Sequence, residues 1–441
     1  MTSLSREAML WPENTAEGAH TSCDDGSARQ RERAGDAWDQ AMNEVEPMTV
    51  NLFDWERAHE SARAAREQGS VHPATLPNGV RVWVIGGYDD ALAALVDQRL
   101  RKDGAGLRRI LGAQLARLGK SSRTSRMYGS SILFLDNPRH DELRGLVSAL
   151  FKPRPIESLR PRIEFLVTQL LADLPRDTPV DLIAHLAFPL PLLVICELLG
   201  VPTQERAPFR AWTAAMMEDD PDRVLEASDA MEHYFGKLIV AKRAEPDDAL
   251  LSTMVQLHDQ GDLSAEELMD MVILLFVAGH EASTNLIGNG IQHLLAEPRA
   301  WRSLGAEPNL IPSLIEEILR FDSPIRMAPM RWTEEPVRYG DVTIPAGEIV
   351  LVSLLSAGRD PHQYPHPNRL DIHRNATHLG FGQGIHYCLG APLARLETQV
   401  VFDAVVRQFP RARLAVASSE LCHKPSMVMN GIKALPVILG R

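Results

Sequence analysis

Cysteine is scarce: the chain has four in 441 residues, Cys23, Cys196, Cys388 and Cys422. They are scattered without metal-ligand spacing and build no disulfide framework, so a reducing cytoplasm is the simplest compartment. Positive charge is also in deficit. A net charge of −12 argues against nucleic acid as a partner. No apolar run reaches the ~18 residues that a membrane span needs. The longest, Met271 to Ala278, is short and lies mid-chain. The N-terminus has no charged segment followed by an apolar stretch and a cleavage site, so no signal peptide and no membrane anchor is expected. No internal repeat is apparent. What is present is 45% hydrophobic and 24% charged, the balance of a soluble globular chain with a large core.

Residues 1–47 read as an N-terminal extension, because Asp24 to Glu46 is rich in charge and small residues and has no sustained apolar period. Met42 or Met48 is the expected natural start, and residues 48–441 are expected to form a single domain. From Phe53 onward the periodicity is mostly helical. Trp55 to Gln68, Ile156 to Leu174, Glu226 to Lys242, Ser264 to Ala296 and Pro392 to Phe409 predict helices. Val80 to Ile85 alternates behind Pro77-Asn78-Gly79, a hairpin signal. Two short strands are expected around Gly340-Asp341, and Met427 to Leu439 divides at Asn430-Gly431.

The most informative stretch is Phe381-Gly382-Gln383-Gly384-Ile385-His386-Tyr387-Cys388-Leu389-Gly390. It sets one cysteine in a glycine-punctuated loop, with a histidine two residues upstream and a helix expected from about Pro392. Six positions are specific: Phe381, Gly382, Gly384, His386, Cys388 and Gly390. A chance match in a chain of this length is below about 10⁻⁵. The loop resembles that of the cytochrome P-450 family, and the other landmarks follow the family's order from about residue 50 to the C-terminus. The resemblance implies that Cys388 is the axial thiolate ligand of a haem iron (haem b), with Phe381, Gly382 and Gly390 against the cofactor. A thiolate ligand pushes electron density onto iron and favours O–O cleavage. The expected helix also points its positive end towards Cys388.

Ser264 and Glu267 form a capping box at the start of a helix of roughly 33 residues, closed by Pro298. In its middle stands Ala278-Gly279-His280-Glu281-Ala282-Ser283-Thr284. A carboxylate within an apolar helix costs several kcal/mol unless it is paired or solvated. By itself the segment also reads as a packing notch with Glu281 turned to solvent. Beside the cysteine loop it resembles the family's oxygen-binding kink, where an acid and an alcohol deliver protons. The resemblance makes Glu281 the acid. It departs at the next position, where threonine is usual and Ala282 stands instead. Ser283 is the weaker hydroxyl candidate, and a substrate hydroxyl with ordered water is a further expectation.

Glu317 and Arg320 stand three apart on one helix face. Alone, such a pair is ordinary surface decoration. The resemblance implies that they bind a second arginine from the segment before the loop, and Arg369 fits that place. Haem carries two carboxylates. His140, Arg144, Arg331 and His386 match the family's cationic partners in chain order, although each alone would read as a surface cation. Arginine suits two-pronged carboxylate binding. Cys196, in an apolar run, reads as a structural thiol.

The resemblance implies a mainly α, triangular helical domain with a small β-rich region, and a soluble, bacterial-type haem-thiolate monooxygenase. It activates O2 with two electrons delivered singly by a ferredoxin or flavodoxin with its reductase, docked on the basic surface near the cysteine loop. The expected substrate is a bulky apolar small molecule, hydroxylated or epoxidised, of the polyketide macrolide kind. Leu274, Val277, Ala278, Ala282, Met327 and Met429 are expected to line its pocket, and Arg326 either faces it or is a surface arginine. Two other readings stand: a relative that couples radicals, closes rings or desaturates without inserting oxygen, and a non-catalytic haem protein.

Overall fold

The computed structural model describes residues 53–120, 129, 131–216, 221–375 and 377–440. The expected extension at 1–47, with Cys23, lies outside them. The described chain is mainly helical with a small β region. The main sheet has five strands in the order Val71–Thr75, Arg81–Ile85, Ile349–Val352, Arg331–Thr333 and Leu100–Arg101. Its first two strands form the hairpin predicted at Pro77-Asn78-Gly79, in register from Val71 opposite Ile85 to Thr75 opposite Arg81. Val337–Tyr339 and Val342–Ile344 pair around Gly340-Asp341, as expected. The last predicted hairpin is only partly formed. Isolated bridges join Ile325 to Met429 and His423 to Ile432. The strand Pro436–Ile438 pairs instead with Val180–Asp181 and Arg413–Leu414.

The helices fall near their expected positions, and two of them are interrupted. The 156–174 segment divides into Pro153–Glu157 and Arg160–Leu171. Ser264–Ala296 breaks at Gly279-His280 into Ala265–Ala278 and Glu281–Ala296. The capping box is formed: Ser264 Oγ accepts from the Glu267 backbone N–H at 3.1 Å, and Glu267 Oε2 accepts from the Ser264 N–H at 2.9 Å. At the break, His280 leaves helical geometry (φ −126°, ψ −39°) and its Nδ1 meets the Phe276 carbonyl at 2.8 Å. A side chain inserted into the helical ladder is one of the known causes of a kink. Gly279 is required there by space. A Cβ would lie 2.6 Å from the Leu275 carbonyl and 2.8 Å from Ile195, on the crossing helix Pro189–Leu199.

By length and composition the combined Ala265–Ala296 segment is long and apolar enough to cross a membrane, contrary to the sequence expectation. That expectation counted uninterrupted apolar residues, whereas the helix tolerates scattered polar ones. In the fold, 78% of its most apolar window is buried, which makes it the core helix. Its second half packs against Ile311–Phe321 and Ala391–Gln408. Leu286, Ile287, Ile291, Ile318, Val401 and Phe402 are among the buried side chains of that core. Each contributes about 1.5–3 kcal/mol by leaving water. These helices hold the break and the cysteine loop in fixed relation across one cavity.

Candidate haem-thiolate site

The cysteine loop is built by its own backbone. The Cys388 N–H donates to the Phe381 carbonyl at 2.9 Å, the Gly382 N–H to Leu379 at 2.7 Å and the Tyr387 N–H to Gly384 at 3.0 Å. Gly382 and Gly384 sit at φ +72° and +73°, a conformation that glycine adopts without steric penalty. Gly390 has ordinary φ, and a Cβ there would meet no protein atom within 4 Å, so it leaves room rather than making the turn. Helix Ala391–Gln408 begins immediately after it. Burial pushes the Cys388 thiol up, while the N–H groups of Gly390 and Ala391 and the cations Arg144 and Arg395 pull it back. The expected positive environment at the sulfur is therefore present. Cys196, by contrast, is fully buried and pushed up to about 12, as a structural thiol should be.

Phe381, Gly382, His386, Cys388 and Gly390 all line one cavity of about 440 Å3. Its far wall holds Leu274, Val277, Ala278, Gly279, Ala282 and Ser283 from the broken helix, and Met429 from the C-terminal loop. Met327, expected on the wall, is elsewhere, and Arg326 is neither on the wall nor at the surface. Met327 pairs with Ser353 and packs into the core beside the sheet. Arg326 donates to the Met429 carbonyl at 3.0 Å and the Trp55 carbonyl at 3.3 Å, and fastens the first described segment to the body. Ile325 and Ala328 line the cavity in their place, on an irregular segment held by isolated bridges at Ile325 and Met327. The wall also recruits Ile195, Met216, Phe134 and Met330, from segments that no motif marks.

Cations gather at one end of the cavity. Arg144 lines it and donates to the Tyr387 carbonyl at 2.7 Å. Arg331 is 2% exposed, and burial brings its guanidinium down to about 10. His386 is held far below its usual value by burial, with Lys102, His140, Arg331 and Arg144 adding to it. His140 stands behind it, the two rings 4.4 Å apart, and is not itself a wall residue. Its Nδ1 meets Asp141 at 2.9 Å and its Nε2 has no partner. Sequence reasoning missed Lys102. It is 2% exposed, lines the cavity, and burial and Arg331 hold it well below its usual value. Among the described wall residues no carboxylate faces these cations. Asp136 lies behind Lys102 and Arg331 but off the wall. Cations facing a cavity with no carboxylate in it suit an anionic ligand, and a group carrying two carboxylates beside an iron for Cys388 fits them.

The expected triad is present with one member changed. Glu317 takes Arg320 in a two-pronged pair of 2.7 and 2.8 Å. Its second arginine is Arg374, Nε to Oε1 at 3.2 Å, not Arg369. Arg369 is exposed and contributes only its carbonyl, to Arg320 Nη2 at 3.2 Å. The segment between them is irregular, so spacing did not fix side-chain direction.

Glu281 is buried but does not line the cavity. Its Oε2 accepts from Lys424 Nζ at 3.2 Å. Thr284 is also buried off the wall, its hydroxyl without a partner. A second acid went unread: Glu397, 0% exposed, on the helix after the loop. Burial pushes its carboxyl up to about 8, opposed by the Ser283 hydroxyl, and neither oxygen completes a hydrogen bond. The signal was available, since Leu393, Leu396, Val400 and Val401 surround that position with apolar helix faces.

The cytochrome P450 family model matches residues 206–429. The chain is 43% identical to the vitamin D(3) 25-hydroxylase of Pseudonocardia autotrophica, over 88% of this chain and 94% of that one. It is 36% identical to the polyketide biosynthesis cytochrome P450 PksS of Bacillus subtilis, over 85% and 91%. The structure of the tirandamycin C-bound P450 monooxygenase TamI superposes with a TM-score of 0.83 at 39% identity, covering 89% of this chain and all of that one. The likeness thus spans both the fold and the cysteine loop, and the chain belongs to the cytochrome P450 family of haem-thiolate monooxygenases.

Proposed function

We propose that this enzyme inserts one oxygen atom, by hydroxylation or epoxidation, into a bulky, uncharged, apolar natural product of the polyketide macrolide kind. The carrying observation is the far wall of the cavity. Beyond the cation cluster and the cysteine loop, Ser283 and Ser426 are the only polar side chains among its described residues. Apolar walls with few polar groups select by shape and by exclusion of water. The polyketide-related and tirandamycin-bound relatives support the substrate class.

The family's haem b, when bound, supplies the iron at which O2 is activated by two electrons. The chain's own residues do the rest. Cys388 provides the thiolate, and Lys102, Arg144, Arg331 and His386 hold the carboxylates, with His140 backing His386. Phe381, Gly382 and Gly390 leave a surface for a flat ring. Gly279 and Ala282 open a gap in the core helix. Ala282 offers no hydroxyl, so protons reach the cavity from carboxyl groups beside it. Glu281 delivers from the side of the partly exposed Lys424, and Glu397 holds a proton next to Ser283. A redox partner delivers the electrons. A ferredoxin or flavodoxin fits the face around Arg144, Arg395 and the exposed Ile385 and Tyr387. Residues 48–441 act as one cytoplasmic domain in this reading.

The test is turnover with a ferredoxin and its reductase against a macrolide panel, read by product mass. A gain of one oxygen atom supports the proposal. Loss of two hydrogens or joining of two rings without oxygen would instead favour the coupling or desaturating reading, which the missing hydroxyl at Ala282 permits.

A further inference from the structure

Glu281 faces away from the cavity that Ala278, Gly279, Ala282 and Ser283 line. Two charged or titratable groups meet it. His280 Nε2 stands 3.7 Å from Oε1, in a ring that is fully buried and held below its usual value by that burial. A neutral ring offers no counter-charge. Lys424 is thus the only permanent cation within ion-pair distance among the described residues, at 3.2 Å.

Lys424 belongs to a loop that also touches substrate space. Its N–H donates to the Gly431 carbonyl at 2.8 Å, and His423 bridges Ile432 beside it. Between these two contacts the chain turns through Ser426, Met427, Val428 and Met429, all on the cavity wall. A molecule filling the cavity would meet the tip of the loop whose base holds the partner of Glu281. The Lys424 side chain is 23% exposed and that of Glu281 is 4% exposed, so the pair also spans from solvent to the buried acid.

We propose that Lys424 is a positioning residue that holds Glu281 retracted until substrate fills the cavity and displaces the 426–429 turn. The inference rests on Glu281 being the proton-delivering acid. In the empty enzyme the ion pair keeps the carboxyl off the cavity and restrains wasteful proton delivery. With substrate bound, Lys424 withdraws, the Glu281 carboxylate takes up a proton from solvent at the side of Lys424, turns inward and passes that proton to cavity water, returning to the carboxylate that Lys424 pairs.

The experiment uses haem-loaded enzyme without substrate, with plant ferredoxin and its reductase. Reductant consumption is compared for wild type, Lys424→Met, Lys424→Arg, Glu281→Gln and the Lys424→Met/Glu281→Gln double variant. Lys424→Met should consume reductant about threefold faster or more, a barrier change small beside the whole reaction. Lys424→Arg should restore most of the restraint, and the double variant should fall to the Glu281→Gln level. Thermal midpoints of the two single variants should not add in the double, as contacting residues do not. Should Lys424→Met fail to load haem, Lys424→Gln takes its place. Unchanged consumption, or an equal rise in the double variant, overturns the proposal. The reduced CO spectrum of the same samples separates this from the haem-thiolate reading: a missing thiolate-type band defeats that reading, whereas an intact band with unchanged consumption defeats only the role of Lys424.

Discussion

Glu317 and Arg320 form a two-pronged ion pair, Nε to Oε2 at 2.7 Å and Nη2 to Oε1 at 2.8 Å, with neither side chain in contact with solvent. Arg320 Nη1 then reaches the Gly358 and Pro367 carbonyls at 2.7 and 3.0 Å. The pair ties the helix Ile311–Phe321 to the irregular chain that leads into the cysteine loop. Buried ion pairs fix geometry more than they add stability, yet removing one partner costs about 3–5 kcal/mol. Arg374, 12% exposed, completes the set on Glu317. Arg374→Ala should therefore lower the unfolding free energy by about 1–3 kcal/mol and reduce haem occupancy, because it leaves part of a buried charge unpaired. Arg369→Ala should stay within about 0.5 kcal/mol of wild type, as an exposed side chain without a special role. Denaturant unfolding of both variants, with haem content per chain, checks the assignment.

Lys102 makes an opposite-signed prediction for the two forms of the protein. Without haem, it is a buried cation beside Arg331, so Lys102→Met should raise the thermal midpoint of the apoprotein. With haem, it loses a carboxylate partner. A hydrogen bond to a charged group contributes about 1.5–3 kcal/mol, so haem should leave the variant roughly tenfold faster or more. Scanning calorimetry of the apoprotein and transfer of haem to an acceptor globin give the two numbers. A variant that is less stable as apoprotein and no worse at keeping haem contradicts the placement.

Glu397 fixes a pH dependence. Its folded carboxyl is raised to about 8 from the usual 4.5. Between those values the unfolded chain has lost the proton that the folded chain keeps. The folded state therefore binds more protons, and stability falls as pH rises through that window. Glu397→Gln should remove this contribution and flatten the stability profile between about pH 4.5 and 8. Denaturation midpoints across that range decide the matter. A wild-type profile as flat as the variant's would show that the buried carboxyl ionises freely.

Gly279 is predicted to tolerate no side chain. A Cβ would press on the Leu275 carbonyl and on Ile195 at the helix break. Overpacking of this kind costs about 1–3 kcal/mol. Gly279→Ala should lose stability by that amount and weaken binding of bulky ligands, because the gap in the core helix closes or shifts. Ligand-induced changes in the haem spectrum, measured beside thermal unfolding, test both parts.

The parts of this site that could be read from the sequence are those held in contiguous chain. The loop around Cys388 binds its own backbone, so ten successive residues carry its shape and its chemistry. The capping box at Ser264 and the alternation behind Gly79 are equally local. The helix break was expected only from the resemblance of residues 278–284 to the family's kink, and its cause, the His280 ring on the Phe276 carbonyl, depends on a rotamer. Arg374 was missed in favour of Arg369 because an irregular segment has no period from which to infer direction. Lys102 and Glu397 were missed for different reasons. Glu397 stands on an apolar helix face whose signal went unread, whereas Lys102 lies in an ordinary local pattern and only the packing of distant segments buries it. The same holds for Lys424, which meets Glu281 across 143 positions of sequence.

The central claim is that Cys388, alone among the cysteines, is the thiolate ligand of a bound haem iron. The most direct measurement is the absorption spectrum of the reduced, CO-bound protein, compared across wild type, Cys388→Ser, Cys196→Ser and Cys422→Ser. The account predicts the red-shifted thiolate-type Soret band in wild type and in the Cys196 and Cys422 variants, and its loss in Cys388→Ser. A band that survives in Cys388→Ser, or a wild-type spectrum of the histidine-ligated kind, would contradict it.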